Sequence, residues 1–155
     1  MKKSYNILLA FVAMLLTCAC THNNGDIGPL FGTWALDCMS IDGEPQPQPQ
    51  PEDVQSFLLF QSNVVKAERF DSRNTLLNYH VGTWERDGDR LDLDFNHRDD
   101  ANEPGTGIYS APEWLHFTDR GITQLTIVKL HSGRMELRQT TPAGQTITYD
   151  LHKTH

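Results

Sequence analysis

Cysteine is scarce in this sequence. There are three, of which Cys18 and Cys20 fall in the N-terminal stretch and Cys38 stands alone beyond it. A lone cysteine forms no intrachain disulfide, so the fold must be held by its core. No histidine positioned as a base is identifiable near Cys38, which leaves a catalytic thiol without its partner. Cys38 alternates with Trp34 and Leu36 and is expected as a buried, inert thiol. Positive charge is also short: 13 Lys+Arg stand against 20 Asp+Glu, for a net charge of −7. Lys2 and Lys3 are the only charged residues among the first 19, so the remainder carries 11 basic against 20 acidic groups. That surface excludes nucleic acid and anionic lipid as electrostatic partners, since polyanions are bound by clustered Lys and Arg. Recognisable catalytic motifs are missing too. No Gly-x-Ser-x-Gly elbow, zinc-protease helix or phosphate-binding glycine loop occurs, and no cofactor is implied. The carboxylates fall mostly on outward strand positions, where solvation is their ordinary state, and the reading is non-enzymatic. No apolar run is long enough to span a bilayer, which needs about 20 residues.

The apolar run that is present, Ile7 to Leu16, follows the basic Met1-Lys2-Lys3. This is the anatomy of a secretory signal. It ends in Leu15-Leu16-Thr17-Cys18-Ala19-Cys20, a small residue directly before a cysteine, and so resembles a bacterial lipoprotein signal. That resemblance implies cleavage after residue 19 and acyl (palmitate) attachment at Cys20. An ordinary secretory signal with incidental cysteines is the alternative. Multiple acyl chains anchor stably, because each buried CH₂ contributes about 0.8 kcal/mol. Residues 20–29 are polar, glycine-bearing and aperiodic, and read as a tether to the membrane. Residues 30–155 form a single domain.

Within that domain, period-two alternation dominates and predicts strands over 30–41, 55–60, 64–70, 76–86, 90–95, 122–130, 134–140 and 145–153. Asp87-Gly88-Asp89 and His131-Ser132-Gly133 are strong hairpin turns. Glu44 to Pro51 alternates proline with polar residues, which disfavours both helix and sheet ladder and favours a polyproline II segment or a tolerated loop insertion. Ser110-Ala111-Pro112-Glu113 has capping-box spacing and predicts a short helix near 111–117 that carries Trp114. Trp84 shares its alternation with Gly82 and His80 rather than with Tyr79 and Val81, and a bulge at Gly82 would reconcile the two sets. Eight strands, each with one polar and one apolar face, predict an all-β fold: one antiparallel up-and-down barrel, closed on itself so that no edge is left exposed.

Gly32-x-Trp34 at the start of the first strand, echoed by Gly82-Thr83-Trp84, resembles the mark of lipocalin-type barrels. With the Cys20 leader, Phe60-Gln61-Ser62-Asn63, Arg90-Leu91-Asp92-Leu93, Met135-Glu136-Leu137 and Thr148-Tyr149-Asp150-Leu151, the chain resembles lipocalin-like lipoproteins of Bacteroidetes. The resemblance implies a barrel anchored in the envelope of a Gram-negative bacterium, at the outer membrane, and implies no settled ligand. The Thr-Asp-Tyr motif of true lipocalins is missing, so their transport role does not carry over.

Two metal constellations fall to simpler readings. Asp92-x-Asp94-x-Asn96 with Glu103 mimics a calcium loop, but His97 stands where the sharp turn needs glycine. His152 and His155 lack a third ligand. An eight-stranded barrel is either filled by its own side chains or holds one small ligand. The inward candidates Trp34, Phe57, Leu59, Trp84, Phe95, Trp114, Met135 and Tyr149 would line such a ligand, hydrophobic or amphiphilic. A filled barrel serving as an interaction or assembly module, its protein partners undefined, is the other reading. Replacing Cys20 with serine is expected to move the chain from the membrane fraction to the soluble fraction, and retention in membranes would overturn the anchor.

Overall fold

A computed structural model describes residues 28–46, 54–97, 103 and 105–154. The leader, residues 20–27 of the tether with Cys20, positions 47–51 of the Pro-Gln run and His155 lie outside the described residues. Nine strands follow in order: β1 (Gly32–Ile41), β2 (Glu44–Pro45), β3 (Gln55–Gln61), β4 (Val64–Phe70), β5 (Leu76–Asp87), β6 (Arg90–Asp94), β7 (Ile122–His131), β8 (Arg134–Thr140) and β9 (Thr146–Thr154). From β3 onward each strand pairs antiparallel with the next. β1 pairs with β3 on one side and β9 on the other, which closes eight strands into a barrel. β2 is a two-residue addition against Ser40 and Ile41, so the Pro-Gln run, predicted to avoid a ladder, opens as a short edge strand. Proline is tolerated there because an edge leaves one side of the strand unpaired.

Alternation places Trp34, Leu58, Phe60, Val65, Leu91, Leu93, Phe95, Leu125, Met135, Leu137, Tyr149 and Leu151 in the interior, all essentially without solvent contact. Three registers differ from the sequence reading. Phe57 and Leu59 face outward, since their neighbours Ser56, Leu58 and Phe60 are the buried set on β3. Both faces of that strand are apolar, so periodicity could not choose, and pairing of Trp34 with Leu58 does. Phe57 instead meets Phe70 edge-on outside the barrel, with ring centroids 5.8 Å apart.

Cys38 is the second difference. A bulge at Asp37 shifts the β1–β9 register between Leu36 and Cys38, turning Cys38 outward to a half-buried position and bringing Met39 and Ile41 onto the core. The third is Gly82. There is no register shift at Gly82, and Asn78, His80, Gly82 and Trp84 share the inward face. Glycine is required for room rather than for a bend: a Cβ at 82 would lie 2.4 Å from the Asp94 carbonyl oxygen and 3.0 Å from the Phe95 ring. Leu58→Ala is expected to cost about 2–5 kcal/mol, as for a buried leucine. Leu59→Ala should cost less than half of that. Equal losses in urea unfolding would overturn the β3 register.

Candidate functional site

The barrel has two unlike ends. At the lower end, Gly32 adopts φ +120°, open to glycine, and swings the chain under the barrel. Trp34 then plugs that end. Its indole Nε1–H donates to the Leu30 carbonyl at 2.8 Å, and Lys153 Nζ sits 5.4 Å from the ring centroid. Trp84 meets Phe60 edge-on at 5.6 Å. A 480 Å³ hollow beside Trp84 is walled by the Ser62-Asn63 and Arg86-Gly88 turns, with Trp84 Nε1 buried and unpartnered on its inner side.

The upper end is covered by the segment between β6 and β7. Two short 3-10 turns form there, Gly107–Tyr109 and Glu113–Leu115. The second lies within the predicted helix near 111–117 and is shorter. Its capping box does not form, because Pro112 rather than Ser110 is the residue that caps it. Ser110 Oγ is engaged elsewhere, donating to the Gly107 carbonyl at 2.7 Å and lying 3.2 Å from His80 Nδ1. His80 Nδ1 is also 2.7 Å from the Ser110 carbonyl. A carbonyl only accepts, so the proton sits on Nδ1 and fastens the cover to β5. Burial pulls the His80 pKa down, against smaller upward pulls from the Ser110 carbonyl and Glu113, and favours the neutral ring.

After the turn, His116 takes a left-handed conformation (φ 54°), which drops the buried side chains of Leu115 and Phe117 into the barrel. Phe117 packs against Phe95 at 6.0 Å and Tyr149 at 5.7 Å. Buried polar groups receive this plug. Tyr149 Oη–H lies 2.5 Å from the Leu115 carbonyl and 2.9 Å from Gln139 Oε1. Gln139 Nε2 donates to the His116 carbonyl at 3.3 Å, and Thr123 Oγ1 accepts from the Thr118 amide at 2.8 Å. The plug thus satisfies every polar side chain that β7, β8 and β9 bury under it.

Beside the plug a cavity of about 960 Å³ remains open at the mouth. Its lining mixes the apolar Met39, Ala111, Trp114 and Phe117 with the polar Arg69, Asn78, His80 and Ser110, and the exposed Glu113, Asp119 and Arg120 stand at its edge. Arg69 occupies an inward position, since it follows Val65 and Ala67 in alternation and pairs with Asn78. Its guanidinium carbon is 5.2 Å from the Trp114 ring centroid, and desolvation lowers its pKa from the usual arginine value. The Trp114 ring lies 5.0 Å from His80.

Of the residues expected to line a ligand, only Trp114 reaches this cavity. Trp34, Phe95, Met135 and Tyr149 are sealed in the core, Trp84 lines the lower hollow, and Phe57 and Leu59 are outside. Sequence reasoning passed over Arg69 and His80. Their signal was present: each is a polar residue at an even step from an inward apolar or glycine position. Among the described residues no three His, Cys, Asp or Glu side chains converge as metal ligands. Asp92 lies outward in a 2.6 Å ion pair with Arg90, and His152 is 2.6 Å from Asp37.

No family model matches the chain, and no significant match occurs among curated proteins. Among solved structures, the chain is similar to a lipocalin-like protein from Bacteroides uniformis ATCC 8492. The TM-score is 0.56 at 16% identity, covering 82% of this chain and 100% of that one. The likeness shows the fold: a lipocalin-like antiparallel barrel of eight strands with one short strand added.

Burial raises the Tyr149 pKa far above its ordinary value of about 10. The neutral phenol therefore stabilises the fold fully below about pH 10, and that contribution is lost as pH rises further, when the unfolded chain ionises first. Stability measured by urea unfolding is expected to fall above about pH 10. Tyr149→Phe should flatten that fall while lowering stability at neutral pH by about 1–3 kcal/mol, the cost of leaving the buried acceptors unpaired. An unchanged alkaline profile in the variant would overturn the assignment.

Proposed function

We propose that this protein is a lipid-anchored, non-enzymatic component of a Gram-negative outer membrane that holds a small amphiphilic molecule in the mouth of its barrel. The observation that carries the reading is the contrast between a filled interior and a 960 Å³ cavity at the mouth whose lining mixes apolar and polar side chains. Small-molecule sites are concave and typically enclose about 300–1,000 Å³; this one lies within that range and is more polar than most. Lipocalin-like architecture supports it, because the open end of such a barrel is where loops and interior side chains meet. The anchor rests on the Ala19-Cys20 signal and the polar stretch after it.

A second reading has its own observation. Leu115 and Phe117 occupy the space where an interior ligand would lie, which favours a filled-barrel interaction or assembly module. Native mass spectrometry separates the two. The chain from Thr21 onward, purified without detergent and offered envelope lipid extract, is expected to carry an added mass that disappears on denaturation and weakens in Trp114→Ala. A cooperatively folding domain that stays bare would overturn the ligand reading in favour of the interaction module.

A further inference from the structure

We infer that the mouth cavity is selective for an anion, and that Arg69 is the group that receives a carboxylate headgroup; this rests on the amphiphile reading above. Partial burial strips water from one side of the Arg69 guanidinium, and a covered N–H is costly unless it is partnered. Among the described residues the Arg69 side chain forms no ion pair and no hydrogen bond, and its Nε is covered yet unpartnered. Its one specific contact is the face of Trp114. Trp114 Nε1, in the same cavity wall, is likewise buried and unpartnered. Tyr149, Gln139 and Thr123, at the plug a few residues away, all have partners. The covered polar atoms left without a partner at the mouth are therefore of one kind. Both are N–H donors, and what they lack is an acceptor.

The walls do not supply that acceptor. Glu113 and Asp119 line the cavity, but both are exposed and neither pairs with Arg69. Glu113 instead acts on His80. His80 commits its Nδ1 proton to the Ser110 carbonyl. Arg120, the other cation of the lining, is exposed, with its side chain laid against Gly105. One inward cation matches one carboxylate, and the planar guanidinium suits that group better than a point charge would. Met39, Ala111 and Phe117 then offer apolar side chains to the rest of the molecule.

Isothermal titration calorimetry of the full chain with decanoate, decanol and decyl phosphate tests the inference. Decanoate is expected to bind at least about tenfold more tightly than decanol, the scale of a hydrogen bond to a charged group. Arg69→Met should erase the difference, and Lys66→Met, on the outer face of the same strand, should leave it intact. The comparison of ligands on the unmodified chain stands whether or not Arg69→Met folds. Equal affinity for decanoate and decanol would overturn the anion assignment while leaving the amphiphile reading in place. Tighter binding of decyl phosphate would overturn the carboxylate assignment. Binding of none of the three would overturn the amphiphile reading itself.

Discussion

Closure of the sheet by β1 against β9 is the constraint on which the rest of the structure depends. The pairing runs from Thr33 with Thr154 to Ile41 with Ile147, joining the two ends of the described domain. Without it β1 would keep only the four pairs it makes with β3 and the two it makes with β2, and β9 would be an open edge. The same pairing positions Trp34 over the lower end, beneath Lys153. It also forces the bulge at Asp37, because a barrel wall must bend and one extra residue in β1 provides the bend. Past the bulge, the inward set changes phase. Met39 turns into the mouth cavity for that reason and not because of its own place in the strand pattern.

The interior is divided between two kinds of filling. Strand side chains fill the lower barrel. The upper barrel is filled by a loop, whose Leu115 and Phe117 reach down between Phe95 and Tyr149. A loop entering a core brings backbone carbonyls with it, and these need donors in a place without water. Tyr149 and Gln139 supply them from β9 and β8. The buried polar residues of this barrel are therefore structural, and they explain why a tyrosine and a glutamine occupy inward positions between leucines and isoleucines. The cover is held on its other flank by His80 and Ser110. What remains between the two fastenings is the mouth cavity, and its leftover donors belong to Arg69 and Trp114.

Much of this was legible beforehand. Alternation over 134–140 and 145–153 put Met135 and Tyr149 in the interior, and both are buried there. It succeeded because one face of each strand is polar, so only one register buries the apolar set. On β3 both faces are apolar, and the wrong one was chosen. Trp84 was placed with Gly82 and His80 correctly, but the polar company it keeps looked like an error that a bulge should repair. The company is real, because that face of β5 looks partly into the mouth rather than wholly into the core. Ser110 illustrates a different loss. Its capping spacing was present, yet the hydroxyl found a histidine 30 residues away, which no local motif contains.

The eight barrel strands, the hairpin turns and the antiparallel class were therefore determined by the sequence itself, since they rest on period-two burial and on the local demands of glycine. The bulge at Asp37, the face of β3, the plug by Leu115 and Phe117, and the meeting of Arg69 with Trp114 were decided by the tertiary structure alone. Each depends on which distant strand or loop lies opposite, and in a closed barrel that is set only when the first strand meets the last.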